Sequence, residues 1–376
     1  MLRGCDRRVR TVTTPARTPL HDRHQALGAR FAEFGGWEMP LQFSGVVDEH
    51  TAVRERVGVF DVSHLGKATV TGPAARGYVD ACLTNALDKI APGQAQYTMC
   101  CDDPTGGVVD DLIVYLRSDD DLLLIPNAAN CAEVVRRLAA EAPDDVVVRN
   151  EHTGHAILAV QGPLSDETLS EIDLPTGHDY MAFDTATWRD VPVTVCRTGY
   201  TGERGYELVV PWADAGPVWD ALLAAGGPYG ILPCGLGARD TLRTEMGYPL
   251  HGQDLSLDIT PVQVGAAWAV GWDKPAFWGR DALLAERAAG PARRLRGIGS
   301  LGRAIPRPGM TVLVDGEAVG TVTSGTFSPS LRKGIGLALL RTDVAVGAEV
   351  SVDVRGRPER FEVVKPPFVQ PSTREG

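Results

Sequence analysis

The sequence predicts an α+β protein of several domains, on three observations. At 376 residues the chain exceeds one core of ordinary size, so two or three domains burying about three-quarters of the unfolded surface are expected. As far as about Ala289, segments of helical period alternate with segments of strand period. From Arg294 the pattern changes to short β runs divided by turn residues, which makes a small antiparallel barrel or sandwich.

The elements follow in order. Thr18-Pro19-Leu20 opens a helical pattern, with Thr18 as N-cap and Pro19 at the first helical position, and Leu20, His24, Leu27 and Phe31 continue it toward Gly35-Gly36. Trp37 to Phe43 is extended, Val46 to Val57 helical, and Gly58 to His64 alternates and runs on into a strand at Ala68 to Thr71. After a helix from Pro73 to Leu83, Gln96-Tyr97-Thr98 and Val108 to Leu116 flank turn chemistry at Asp102 to Gly107, the signature of a hairpin. Asp121 to Asn127 is a strand, with a helix from Ala128 to Ala142. Asn127 either caps that helix or points its amide at a ligand. His155 to Gln161 and Val191 to Arg197 are strands, the former followed by a helix from Pro163. Trp212 to Ala225 and Thr241 to Met246 are helices. A helix from Gly279 to Ala289 ends at a Gly290-Pro291 linker, and the β runs beyond it turn at Asp315-Gly316 and Ser324-Gly325.

Charge and composition exclude several classes. A hydrophobic share of 44% and a charged share of 23% belong to a globular chain and not a disordered one. The net charge of -11 argues against a general nucleic-acid or anionic-membrane binder. The richest apolar stretch, Ile259 to Trp272, is too short to span a bilayer and is interrupted by Pro261 and Gln263. Seven cysteines without a C-x-x-C pair indicate neither a disulfide framework nor a zinc ribbon, and a reducing compartment fits. His21 with His24 and His152 with His155 lack completing ligands, so no metal is expected. Residues 1–17 carry five arginines and one acid without a secretory core, which suits a disordered or misassigned tail, or an organellar presequence.

One stretch is too rich in special residues for an ordinary turn: Thr198-Gly-Tyr-Thr-Gly-Glu-Arg-Gly-Tyr-Glu207, just ahead of a buried strand. Gly199, Gly202 and Gly205 allow sharp turning and close approach. Tyr200 and Tyr206 offer ring faces, and Glu207 a carboxylate that suits the donor edge of a flat ligand. A second cluster is Asp110-Asp111 inside an aliphatic run, costly unless the acids are paired, hydrated or used. On a strand they face opposite ways, so they are no shared-proton dyad, and period two does not tell which one faces a cleft. The plain alternative is a strand end with both acids at an exposed rim. By the same alternation Ser63 and His64 cannot pair as a nucleophile and base, and a structural role is expected of them. Gly235-x-Gly237 lacks the third glycine of a dinucleotide loop and a Walker lysine. A turn that sets Arg239 at a helix start accounts for it.

These pieces together resemble the aminomethyltransferase, or T-protein, family of the glycine cleavage system. The matching stretches are Glu49-His50, Phe60 to His64, Gly106 to Val114, Ala159 to Pro163, Thr198 to Glu207, Gly235 to Arg243 and Thr323 to Ser330, in one order from Thr18 to Val369. The resemblance implies three domains around a central folate channel: two intertwined domains over residues 18–289 and a β domain over 290–370. It implies transfer of the methylene carbon of aminomethyl-S-lipoyl H-protein to tetrahydrofolate, with release of ammonia and the dihydrolipoyl arm. Lipoylated H-protein is thus the implied partner and tetrahydrofolate the cosubstrate, with no metal, nucleic acid or membrane.

Carried over by motif, Asp111 is implied as the catalytic acid, placed to help N5 of the folate attack as ammonia leaves. Glu207 would anchor the pterin edge, Tyr200 and Tyr97 would lie along the folate, and Arg239 and Asn127 would supply further contacts. Three positions depart from the family pattern. Leu65 replaces a methionine, the turn between Tyr97 and Gly106 is one residue longer, and Pro126 precedes Asn127, which predicts a missing ladder bond. The implied location is cytoplasmic, or the mitochondrial matrix if the arginine-rich start is a presequence. Two alternatives stand beside this: a tetrahydrofolate-dependent demethylase on the same scaffold, and a non-enzymatic folate-binding iron–sulfur maintenance protein, whose Lys-Gly-Cys signature is absent. Flavin-linked relatives are disfavoured, since no dinucleotide-binding domain precedes Thr18.

Overall fold

The computed structural model describes residues 14–373. Two sheets are interleaved along the chain. A six-stranded sheet runs in the order Phe183–Trp188, Val191–Cys196, Gly205–Pro211, His155–Gln161, Gly58–Asp61 and Leu232–Cys234, antiparallel except at its last pair. A five-stranded antiparallel sheet runs Gln94–Cys101, Val108–Ser118, Asp121–Ile125, Ala68–Thr71 and Val147–Asn150. The chain leaves the first sheet after Asp61, builds the whole of the second, and returns at His155. Gly58 to Thr71 is therefore not one strand, as its alternation suggested: it breaks after Asp61, and Gly58–His64 is buried throughout.

The inner faces of the two sheets meet through Phe60, Tyr115, Leu123, Ile157, Ala159 and Val209. The outer face of the six-stranded sheet is covered by helix Ala215–Ala225 through Val218, Trp219 and Leu222. Helices Ala75–Cys82 and Cys131–Ala140 cover the five-stranded sheet through Val79, Val134 and Leu138. Both faces of each sheet are thus packed, which explains the near-continuous apolar runs of the central strands.

The C-terminal β runs close into a six-stranded barrel, in the order Arg293–Ser300, Lys333–Arg341, Glu317–Ser328, Thr311–Val314, Glu349–Val354 and Arg357–Val364, so the sandwich alternative falls. Asp315-Gly316 is a hairpin turn as expected, with both residues at positive φ. Ser324-Gly325 is not a turn. It lies inside a twelve-residue strand beside a register shift, and Ser324 Oγ reaches out to Asp254 at 2.7 Å while Arg243 Nη2 donates to it at 2.9 Å. A second buried network fastens the barrel nearby. Glu245 Oε1 accepts from Ser328 Oγ at 2.5 Å, and Glu245 Oε2 accepts from Ser330 Oγ at 2.9 Å and Arg54 Nη2 at 2.8 Å.

Other expectations also shift. Thr18 is not a cap: the first helix is only His21–Ala26, and the Thr18 hydroxyl donates to Asp61 at 2.6 Å, where His24 also bonds. Phe31 belongs to a strand, Arg30–Phe34, paired with Trp37–Gln42. Pro126 costs no ladder bond, because its strand already ends at Ile125 and its carbonyl accepts from Gly66 N–H at 2.8 Å. Helix Leu236–Met246 starts earlier than Thr241, which places Arg239 in its first turn. Most of the arginine-rich start, with Cys5, lies outside the described residues, but Ala16 pairs with Trp37 and Arg17 reaches Glu38 at 2.8 Å. The other six cysteines are free and buried. Among the described residues no helix is long and apolar enough to cross a membrane, and no group of three or more His, Cys, Asp or Glu is placed to hold a metal.

Candidate active site

A cavity of about 1420 Å³ opens where the two sheets, the barrel and the chain after helix Leu236–Met246 meet. Tyr97, Asp111, Asn127, Tyr200, Glu207 and Arg239 all line it. They come from segments far apart in sequence, so the convergence is a product of the interleaved sheets.

Strand alternation places the two acids that matter. Along Gly205–Pro211, Glu207 and Val209 face the cavity, while Tyr206, Leu208 and Val210 enter the core beneath the sheet. Tyr206 is therefore not a ligand-facing ring; it is fully buried, and its hydroxyl accepts from Gly177 N–H at 2.9 Å. Along Val108–Ser118, Asp111, Ile113 and Tyr115 line the cavity, and Asp110 is buried on the helix-covered side. The exposed-rim reading of the acids fails, since Asp110 is fully buried and Asp111 sits in the cavity wall.

The glycines of Thr198 to Glu207 make room for neighbouring side chains, and Gly199 also lines the cavity. A Cβ on Gly199 or Gly205 would strike the Gln161 side chain, and one on Gly202, at φ +80°, would strike Met246. Gln161 Nε2 donates to Thr198 O and Tyr206 O, and Gln161 Oε1 accepts from Thr201 Oγ1, so a single buried amide ties the loop.

Glu207 accepts from Thr198 Oγ1 at 2.6 Å, which leaves carboxylate lone pairs for a ligand. The Arg239 guanidinium lies 4.6 Å over the Tyr200 ring, a geometry that holds its planar donors in place. The Tyr200 hydroxyl donates to Pro249 O at 2.5 Å. Tyr97 donates to Asp111 Oδ2 at 3.1 Å and stacks on Trp268 at 5.5 Å. Asn127 does not cap the next helix: its Nδ2 lies 2.9 Å from Asp110 Oδ1 and 3.0 Å from Asp111 Oδ1. Burial raises the Asp111 carboxyl above its ordinary range, against the pull of His251, Tyr97 and Asn127.

Sequence reasoning missed several wall residues. Ser63 bonds to the Ile157 backbone, in keeping with the structural role expected of it. His64 instead lines the cavity, and burial together with the Arg239 charge pushes it down to about 3, so its ring is neutral. Tyr115, whose hydroxyl pairs with Thr198 Oγ1 at 3.0 Å, was legible as sharing the face of Asp111. Trp268, His251, Arg296 and Lys365 carry no local signal; they reach the wall from loops and the barrel.

The arrangement is that of an α+β protein whose cavity has the ring faces and hydrogen-bonding groups to suit a flat ligand, with a carboxyl of raised proton affinity in its wall. Comparison with known proteins narrows the class. Residues 20–274 match the GCVT N-terminal domain and residues 293–370 the glycine cleavage T-protein C-terminal barrel domain. The aminomethyltransferase of Parafrankia sp. is 63% identical over 361 residues, covering 95% of this chain and 99% of that protein. That of Mycobacterium tuberculosis is 59% identical over 358 residues, covering 95% and 97%. The crystal structure of glycine cleavage system aminomethyltransferase T from Bartonella henselae superposes with a TM-score of 0.89 at 31% identity, covering 95% of this chain and 98% of that one. The chain belongs to the glycine cleavage T-protein family.

Proposed function

We infer that the chain is the aminomethyltransferase of a glycine cleavage system. It moves the methylene carbon of an aminomethyl group, carried on the lipoyl arm of H-protein, to tetrahydrofolate, and releases ammonia and the dihydrolipoyl arm. The observation that carries this is the convergence of Tyr97, Asp111, Asn127, Tyr200, Glu207 and Arg239 on one cavity in a chain of this family. At about 1420 Å³ it is larger than the roughly 300–1,000 Å³ of ordinary small-molecule pockets, which leaves room for a folate and the tip of a carrier arm. Every relative named above is an aminomethyltransferase, which favours neither the demethylase nor the maintenance reading.

Glu207 accepts the amino and ring N–H of the pterin edge in a charge-assisted pair worth about 1.5–3 kcal/mol. Tyr200 and Tyr97 wall the length of the folate, and the Arg239 guanidinium donates to one of its oxygens. Asn127 commits its N–H groups to the acids, so its amide oxygen is the atom left for the ligand. Asp111 holds or moves a proton beside the attacking nitrogen while ammonia departs, and its raised proton affinity suits that task near neutral pH. Enclosure of the arm keeps water from the transferred carbon. The relatives named above are bacterial, in keeping with a cytoplasmic enzyme. The test is ammonia release from aminomethylated H-protein with and without tetrahydrofolate: stimulation with 5,10-methylene product is expected, and a rate indifferent to tetrahydrofolate would overturn the assignment.

A further inference from the structure

Asp110 has no part in the reading above. It is fully buried, does not line the cavity, and all of its partners are N–H groups. Its Oδ1 accepts from Asn127 Nδ2 at 2.9 Å and Asn130 Nδ2 at 2.7 Å, and its Oδ2 accepts from the Asn127 backbone N–H at 3.0 Å. Asn130 gives its other amide hydrogen to His251 Nδ1 at 3.0 Å. His251 Nε2 donates to Val108 O at 3.1 Å, so a neutral His251 carries its proton there. An amide between two acceptors stands only with its NH2 group inward. Asn127 is the bridge to the catalytic side, with the same Nδ2 at 3.0 Å from Asp111 Oδ1 and 2.9 Å from Asp111 O.

The partners distinguish the two acids. A proton on Asp110 would point at an N–H donor, since none of its three contacts accepts. Asp111 has no such conflict, because its Oδ2 faces the Tyr97 hydroxyl, which accepts as well as donates. Two adjacent buried carboxyls do not both ionise cheaply.

We propose that Asp110 is a positioning residue that stays ionised under the hold of Asn127 and Asn130, fixes the Asn127 amide against Asp111, and leaves Asp111 to carry the exchangeable proton. The proposal rests on the aminomethyl-transfer reading only for the use made of that proton. Burial and then the Asp111 charge push the Asp110 carboxyl up to about 8, while the three N–H donors, which leave its proton no acceptor, act for the ionised form. The titratable groups facing the pair are Tyr97 and Cys100 on the paired strand, Cys131 on the next helix, Tyr200 and His251, none of them lysine or arginine. Burial pushes the Cys100 thiol up to about 12 and Cys131 to about 11, and raises both phenols, so these four stay neutral near pH 7.

The test is a carboxyl carbon NMR titration of the full chain labelled at aspartate Cγ, with Asp110→Asn and Asp111→Asn assigning the two resonances. The Asp110 resonance is expected at its ionised position from pH 5 upward, with Asp111 titrating above it. In Asp110→Asn the Asp111 midpoint should fall by about one unit or more. The matching limb of the kcat profile should move with it, while KM for tetrahydrofolate stays within about twofold. Should that variant fold poorly, Asn130→Ala should lower the same midpoint by less. A protonated Asp110 at pH 7, or an Asp111 midpoint unmoved in both variants, overturns the proposal. Because the titration needs no turnover, a failure of aminomethyl transfer would remove the functional reading and leave this one to be decided by the NMR.

Discussion

Replacing Gly199 by alanine would place a Cβ 2.2 Å from Gln161 Oε1 and 2.8 Å from its Cδ and Nε2, closer than any packed side chain tolerates. Gln161 has little freedom to retreat: it is buried and makes three hydrogen bonds, to Thr198 O at 3.1 Å, to Tyr206 O at 3.3 Å and from Thr201 Oγ1 at 2.8 Å. Each buried group left unpaired costs about 1–3 kcal/mol, and partial relaxation of the loop should bring the net loss to about 2–4 kcal/mol. The same displacement moves Thr198, which donates to Glu207, and Tyr200, which carries Arg239 over its ring. Gly199→Ala is therefore expected to lower Tm by roughly 3–5 °C and to weaken tetrahydrofolate binding about tenfold or more. Scanning calorimetry and isothermal titration read the two effects. A Tm within about 1 °C of the parent, with unchanged affinity, would refute the claim that Gln161 leaves no room at this position.

Asp111→Asn should keep tetrahydrofolate affinity while lowering kcat about 10²–10⁴-fold, and turnover at the parental rate would remove Asp111 from the mechanism. Glu207→Ala should weaken tetrahydrofolate binding about 10–150-fold, the equivalent of a lost charge-assisted pair, and unchanged calorimetric affinity would show that the pterin is anchored elsewhere. Glu245 gives a pH dependence. Burial opposes its ionised form, yet His50, Ser328 and Arg54 hold it down to about 2 against an ordinary 4.5. A depressed carboxylate contributes stability that is full above pH 4.5 and is lost as pH falls toward 2. Glu245→Gln should thus lower stability at pH 7 by about 2–4 kcal/mol and narrow its own gap to the parent near pH 3; an equal gap at both pH values would contradict the linkage.

Much of the fold was legible because its signals are local. The Gln94–Cys101 and Val108–Ser118 hairpin announced itself by period two and its turn, and the C-terminal β domain by short runs after Gly290-Pro291. The Thr198 to Glu207 stretch stood out by composition, and its glycines make room for Gln161 and Met246. Other signals misled for a physical reason. Leu20, His24, Leu27 and Phe31 keep helical spacing, but Phe31 pairs in a strand because Arg30–Phe34 finds a partner in Trp37–Gln42. Ser324-Gly325 has turn chemistry, yet Ser324 is spent on Asp254 and Arg243 from outside the barrel.

By itself the sequence determined which strands alternate, that Asp110 and Asp111 must point opposite ways, and that Glu207 and Tyr206 must do the same. Only the tertiary structure decided which member of each pair meets the cavity. Alternation is symmetric between the two faces of a strand, and the choice depends on what covers each face. Helices Ala75–Cys82 and Cys131–Ala140 cover one face of the five-stranded sheet and helix Ala215–Ala225 one face of the six-stranded sheet, and the interior between sheets and barrel takes the other two, so the cavity receives Asp111 and Glu207 while Asp110 and Tyr206 are buried behind them.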